Sequence, residues 1–410
     1  MKCGLLGGKL GHSFSPQIHG ALADYRYTLC EKTPEELDDF LKNGDFTGLN
    51  VTIPYKKTVI PYCAELSDQA RKIGAVNTIV RRPDGTLLGH NTDYFGFAYL
   101  LRQSGIAVAG KKCLVLGTGG ASVTVQAVLR EQGAKVVVLS RSGPENYDHL
   151  ERHADAALIV NATPVGMYPN TGVSPVDLKC FPKLEGVLDL IYNPARTQFL
   201  LDAEKLGIPG WNGLSMLVAQ AKESAEWFTG KAIPDERIGE IYTRLCRETE
   251  NLIIIGMPGS GKTTVGRLLA QATGKNFVDV DEEIIRTAGM SIPEIFAASG
   301  ENGFREIETA VLSRLGKGSG QVIATGGGCV TRAENYPLLH QNGRILRLRR
   351  DIGKLPKDGR PLSLANDLSE MAAQREPLYA AFADLTFDNN GALDNTLKTI
   401  LEAIQCTFWC

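Results

Sequence analysis

The sequence predicts an α/β protein of more than one domain, and three observations carry that reading. Short apolar runs such as LVLG (114–117), VVVLSR (136–141), LIVNAT (158–163) and GVLDLIY (186–192) alternate with helix-length segments along the chain. That pattern belongs to parallel sheets with crossover helices. At 410 residues the chain exceeds one ordinary core, since single cores stop growing near ~250–300 residues. Finally, glycine-rich turns at 117–122 and 256–263 each follow an apolar strand and precede a helix-like run.

Composition restricts the class of partner. A formal net charge of −2, with no Lys/Arg block, gives nucleic acid or a membrane surface no electrostatic hold and points to small molecules. The nine cysteines include no CxxC pair, and the closest two, Cys406 and Cys410, form a CxxxC, so reduced thiols are expected. The opening MKCGLLGGKLGHSFSP lacks the apolar run and cleavage site of a signal peptide, and no stretch approaches the ~18 apolar residues of a membrane span. The expectation is a cytoplasmic protein; oligomeric state is not legible.

Residues 1–104 carry their own strand and helix signals, and four segments there are too polar for a core unless they face a ligand: GHSFSP (11–16), NVTIPYK (50–56), GAVNT (74–78) and GHNTDYFG (89–96). In an extended stretch Ser13 and Ser15 point to one side and jointly bind a carboxylate or hydroxyl. Lys56 and Asp93 offer a cation and an anion that pair, giving a positioned proton donor.

A break near Gly105 introduces LVLGTGGAS, where Gly117, Gly119, Gly120 and Ala121 suit a dinucleotide pyrophosphate at a helix N-terminus. Ser122 stands at the third fingerprint position, in place of Gly or Ala. The next strand ends in Ser140 and Arg141 rather than an acid, which favours the 2′-phosphate of NADP over NAD. The helical stretch from Leu214 either closes this nucleotide domain or packs back on the first; spacing leaves both open.

A fresh start follows the polar stretch 246–250. GMPGSGKT (256–263) after the strand LIII matches the phosphate loop in full: backbone around Gly259, Ser260 and Gly261 cradles phosphates, Lys262 reaches the terminal ones, Thr263 serves Mg²⁺, and Thr264 follows at the helix start. ATP or another nucleoside triphosphate binds here. Ser291 with Glu294 reads as a capping box for a helix that stops near Gly300. Arg305 and Arg375, with an acidic pair, suit a small hydroxylated carboxylate.

The first four polar segments, with NATPVGM (161–167), DLIYNPARTQFL (189–200) and NGLSMLVAQA (212–221), resemble the shikimate dehydrogenase family over essentially all of residues 1–245. The resemblance implies that Ser13, Ser15, Thr52, Asn77, Asn91, Tyr192 and Gln220 contact substrate, that Lys56 with Asp93 is catalytic, and that Thr163, Met167 and Gly213 line the cofactor. The paired Ser13 and Ser15 look like the shikimate rather than the quinate form. FVDVDEEI (277–284), SIPEIFAASGENGFREIE (291–308), IATGGG (323–328), DGRPL (358–362) and REPLY (375–379) resemble shikimate kinase over 251 to about 405. It implies that Asp279 supports Mg²⁺, that Asp281 binds and activates the acceptor hydroxyl, and that Arg305, Gly327, Gly328 and Arg375 hold shikimate. Arg360 would reach the ATP phosphates from a lid.

Together these readings give an N-terminal α/β substrate domain (1–104, completed by 214–245), a Rossmann-type NADP domain (105–213), a linker (246–250) and a P-loop, nucleoside-monophosphate-kinase-like α/β domain (251–410). The implied activity is reduction of 3-dehydroshikimate with NADPH, then phosphorylation of shikimate with ATP. The alternatives are a quinate-type dehydrogenase fused to another small-molecule kinase, or one half acting as a non-catalytic binding module.

Overall fold

The structure, a computed structural model, describes residues 1–11, 13–355 and 368–406. Arg360, expected from a lid, lies outside the described residues, as does Cys410. The chain forms two compact units, Met1–Gly166 with Val173–Tyr192 and Asp202–Thr243, and Met167–Gly172 with Asn193–Leu201 and Arg244–Cys410.

The first unit holds two sheets. One has strand order β2-β1-β3-β5-β6-β4, built from β1 (Lys2–Gly7), β2 (Arg26–Glu31), β3 (Gly48–Val51), β4 (Glu65–Leu66), β5 (Thr78–Arg81) and β6 (Leu87–His90). β5 runs antiparallel to both β3 and β6, so this sheet is mixed where alternation predicts a parallel one. The β5–β6 pair has a local cause: Pro83-Asp84-Gly85 turns the chain straight back, with Gly85 at φ +85° and the Asp84 carboxylate accepting the Thr86 N–H. Helices cover the sheet with explicit ends. Pro34–Asn43 starts with a Thr33/Glu36 capping box, and Asp68–Ile73 is closed by Ser67 before it and left-handed Gly74 after it.

The second sheet, β11-β10-β9-β7-β8, is wholly parallel: β7 (Lys112–Leu116), β8 (Lys135–Leu139), β9 (Leu158–Asn161), β10 (Gly186–Asp189) and β11 (Gly210–Trp211). Cys113, Leu114, Val115 and Leu116 are fully buried, as central strands covered on both faces require. The helix Asp93–Ser104 ends at left-handed Gly105, where the sequence predicts a break. The helix Leu214–Thr229 packs against Asp93–Ser104 and Ser15–Leu22, while its Met216 joins the core of the second sheet. Gly96 makes that packing close, since a Cβ there would stand 2.7 Å from the Met216 carbonyl oxygen.

The second unit carries the parallel sheet β13-β14-β12-β15-β16, with β12 (Asn251–Ile255), β13 (Asn276–Asp279), β14 (Gln321–Ala324), β15 (Gly343–Arg349) and β16 (Leu385–Asp388). Two sequence expectations are refined. The 246–250 stretch continues a helix, Glu236–Thr249, almost to β12. The Ser291/Glu294 capping box forms, yet its helix runs on from Ile292 to Gly316, broken by Gly300 at φ +65° and ψ −171° and then resuming. Among the described residues no helix is long and apolar enough to cross a membrane. The described cysteines Cys3, Cys30, Cys63, Cys113, Cys180, Cys246 and Cys329 are free thiols.

Candidate active sites

In the first unit Lys56 sits on the turn after β3. That turn is fixed by the Val76 amide on the Lys56 carbonyl, 2.8 Å, and by the Tyr55 hydroxyl on the Lys32 carbonyl, 2.6 Å. Asp93 is the first residue of its helix, where the positive end of the helix dipole steadies a carboxylate. Lys56 Nζ stands 2.5 Å from Asp93 Oδ2, with both side chains mostly but not fully shielded. The pair lines a cavity of about 240 Å³ together with Ser13, Ser15, Thr52, Asn77, Tyr192 and Gln220.

One predicted detail changes, and another residue is placed beside the cavity lining. Ser15 opens the helix Ser15–Leu22 instead of continuing an extended stretch, and its amide donates to Ser13 Oγ at 3.2 Å; both residues still line the cavity. Asn91 does not line it: buried, it donates to the Ala75 carbonyl at 3.0 Å and accepts the Tyr94 amide at 3.3 Å. An Asn there satisfies the turn that launches Asp93.

Asn50 lines the cavity and is absent from the sequence-predicted set. Its carboxamide is locked, accepting from the Tyr27 hydroxyl at 2.8 Å and donating to Ser224 Oγ at 2.7 Å. Asn50 lies on buried β3, where an amide is costly unless paired; that was the available signal. Burial also pushes the Tyr192 phenol above its ordinary pKa, keeping it a neutral donor.

The glycine turn adjoins this cavity. Gly117 (φ +98°) follows β7 and Thr163 follows β9, where the strand order reverses and open α/β sheets bind ligands. A Cβ on Gly117 would come 2.8 Å from Thr163 Cγ2. Gly119 caps the helix Gly120–Glu131, and Ala121 lines the cavity. Ser122 explains the fingerprint departure: its hydroxyl donates to the Gly117 carbonyl at 2.6 Å and closes the turn. Gly213 lines the cavity and must be glycine, because a Cβ would overlap the Leu190 carbonyl. Ser140 donates its amide to the Glu145 carbonyl, and Arg141 is exposed after β8. Met167 is exposed and is not among the residues lining the cavity.

In the second unit a cavity of about 670 Å³ runs from the phosphate loop to the arginines. Gly259, Gly261, Lys262, Thr263 and Thr264 line one end, with Gly256, Gly259 and Gly261 at positive φ, the kind of backbone that phosphate-cradling loops use. Ser260 is fully buried, so the loop offers its backbone there and not its hydroxyl. Thr263 Oγ1 donates to Asp279 Oδ2 at 2.9 Å, and Asp279 Oδ1 accepts the Asp281 amide at 3.0 Å. One carboxylate thereby joins the Mg²⁺-type hydroxyl to the start of the helix Val280–Ala288 that carries Asp281. A hydroxyl beside a carboxylate is the hard oxygen donor set that Mg²⁺ takes with nucleotide phosphates.

At the other end, Gly326, Gly327 and Gly328 each face a site group. A Cβ on Gly326 would stand 2.7 Å from Glu308 Oε1 and 3.2 Å from Asp281 Oδ1, and one on Gly327 would stand 2.6 Å from Pro258. One on Gly328 would overlap the Arg305 guanidinium. The Gly327 carbonyl accepts from Arg375 Nη1 at 3.1 Å. Glu308, absent from the predicted set, is buried and 2.7 Å from Arg305 Nη1, and burial raises its pKa despite the arginine. Its signal was the i, i+3 spacing from Arg305 on one helix.

Comparison with known proteins fits both sites. A family model for the shikimate dehydrogenase substrate binding domain matches residues 5–79, and one for shikimate kinase matches residues 258–405. The chain is 36% identical to an NADP⁺-type shikimate dehydrogenase of Clostridium perfringens, across 60% of this chain and 98% of that one. The chain belongs to the shikimate dehydrogenase family. Its dehydrogenase half is also similar to the solved chorismate mutase/shikimate 5-dehydrogenase fusion protein of Clostridium acetobutylicum, at 38% identity and TM-score 0.56, covering 60% of this chain and 96% of that one. Against Thermus thermophilus shikimate 5-dehydrogenase the identity is 33% and the TM-score 0.54, covering 60% and 99%. With a shikimate kinase domain following the shikimate dehydrogenase, the chain is a bifunctional shikimate-pathway enzyme.

Proposed function

We propose that the chain reduces 3-dehydroshikimate at the Lys56–Asp93 pair and phosphorylates the resulting shikimate at Asp281, with NADP(H), ATP and Mg²⁺ as partners. The observation that carries the first half is the 2.5 Å Lys56–Asp93 pair, whose lysine stem lies beside the cofactor turn: a Cβ on Gly120 would be 3.8 Å from Lys56 Cδ. Bound NADPH supplies the hydride. Asp93 aims Lys56 Nζ, which donates a proton or hydrogen bond to the carbonyl oxygen as charge develops on it. Ser13 and Ser15 hold the substrate carboxylate, Thr52, Asn77, Tyr192 and Gln220 its hydroxyls, and Arg141 the 2′-phosphate.

In the kinase domain Arg305 and Arg375 hold the acid substrate's carboxylate, and Asp281 accepts the proton of the attacking hydroxyl. Lys262 and the loop amides position the phosphates, while Thr263 and Asp279 hold the Mg²⁺ that offsets their charge. These roles fit a substrate domain of 1–104 with 214–245, a nucleotide domain of 105–213 and a kinase domain of 251–410. The ligands are small acids and nucleotides, in keeping with a cytoplasmic enzyme that engages neither nucleic acid nor membrane.

The test follows NADPH loss and ADP formation separately in one mixture of protein, 3-dehydroshikimate, NADPH, ATP and Mg²⁺. ADP formation that depends on NADPH supports the reading. Lys56→Ala is expected to abolish reduction and spare phosphorylation of added shikimate, and Asp281→Asn the reverse. Loss of both activities in either folded variant overturns the assignment of separate sites.

A further inference from the structure

Arg305 meets two carboxylates of unlike character. Glu308 is fully buried, 2.7 Å from Nη1. Glu301, one turn earlier on the same helix, has a side chain 52% exposed and stands 3.1 Å from Nη2. The Nε–H of Arg305, itself buried, has no hydrogen-bond partner among the described residues. On a guanidinium, Nε–H and the neighbouring Nη2–H point the same way and form a fork that a carboxylate takes bidentately. One prong of that fork is unpaired, and the other is held by a carboxylate at the solvent edge.

We propose that Glu301 is a displaceable counter-ion for the substrate's carboxylate. It neutralises Arg305 before substrate arrives, then yields Nη2 to the acid that takes the Nε/Nη2 fork. This rests on reading Arg305 as the cation that receives that carboxylate.

Charge and burial decide which carboxylate leaves. Glu308 and Asp281 already face one another across Gly326, so an incoming anion beside them is repelled unless negative charge departs. Releasing Glu308 strands a buried charge, which is costly. Glu301 pays little, because exposed ion pairs are weak and water replaces the partner. It also has room to move. It lies where cavities of about 550 Å³ and 310 Å³ adjoin, both lined by Glu301 and Thr331. A Cβ on the preceding residue, Gly300, would meet nothing within 4 Å.

Glu301 is thus a positioning and specificity residue. It raises the threshold for any weak anion to occupy Arg305, and only an acid that also satisfies Asp281 and Arg375 displaces it.

The experiment measures kinase kinetics of the full chain with shikimate, comparing wild type, Glu301→Gln and Arg305→Lys, with acetate as a competing anion. Glu301→Gln is expected to lower KM for shikimate about two- to fivefold, leave kcat and KM for ATP unchanged, and strengthen inhibition by acetate. A merely structural role for Glu301 predicts a higher KM. If Glu301→Gln raises KM or leaves it unchanged while Arg305→Lys raises it about tenfold or more, the counter-ion role is overturned and the Arg305 reading stands. If Arg305→Lys leaves KM for shikimate unchanged, the Arg305 reading fails and the counter-ion role with it.

Discussion

Gly328 shows how much of the kinase site depends on a side chain that is not there. Arg305 lies where a Cβ would be, so Gly328→Ala must push the guanidinium aside. The expected result is a rise of about tenfold or more in KM for shikimate, with KM for ATP little changed, read from initial rates of ADP formation. His19 gives a second prediction. Its imidazole is stacked 4.0 Å from the Tyr27 ring, and burial lowers its pKa from 6.5 to about 3. A lowered folded-state value means the unfolded chain binds the proton more readily. Stability is therefore intact above pH 6.5 and falls as the pH drops toward 3. At pH 5 the loss is on the order of 2 kcal/mol. Urea midpoints of the dehydrogenase activity between pH 7.5 and 5 are expected to decline in wild type and to flatten in His19→Gln.

Residue chemistry was legible where it was local. Lys262 and Thr263 could be named from the phosphate loop itself, whereas Lys56 and Asp93 needed the family resemblance, since a single lysine or aspartate has many uses. Asn91 is less legible: its carboxamide bonds the Ala75 carbonyl and the Tyr94 amide, and a sequence does not say which polar groups also face inward to backbone. Asn50 and Glu308 were missed for another reason: both lie in segments that the sequence singles out, but sequence does not say that Asn50 lines the cavity or that Glu308 pairs with Arg305.

At the scale of elements, the start of the helix Val280–Ala288 combines capping with chemistry. Asp279 caps that helix through the Asp281 amide while holding Thr263. Asp279→Ala is expected to cost about 1 kcal/mol of stability through the lost cap and to raise the Mg²⁺ concentration needed for half-maximal kinase rate, leaving the dehydrogenase rate unchanged. Ser122→Ala in the cofactor turn removes the hydroxyl bond to Gly117, expected to cost about 1 kcal/mol and to raise KM for NADPH with little change in KM for 3-dehydroshikimate. Element types were largely readable from apolar runs and caps. The antiparallel β5 was not, since alternation was read over a long window while Pro83-Asp84-Gly85 acts over a few residues. The continuation past Gly300 was hidden too, because one glycine that breaks helical geometry looks in sequence like one that ends a helix.

For the molecule as a whole, two doubly wound sheets and one mixed sheet each present their chemistry at strand ends, where β3, β6, β7, β9, β12, β13 and β14 release their loops. That placement follows from topology, so the glycine turns could be found from sequence while the packing of Leu214–Thr229 on Asp93–Ser104 and Ser15–Leu22 could not. The helix joins polar groups far apart in the chain: Ser224 Oγ meets Thr78, Thr92 and Asn50.

The Gly326–Gly328 tract also has a genetic consequence. Every missense change of a glycine codon adds at least a Cβ, and at these positions that atom would run into Glu308, Pro258 or Arg305. Alleles here should accumulate in any selection that discards phosphorylation yet demands continued reduction, and the tract would stand out in such a collection as an island tolerating no synonyms at the protein level.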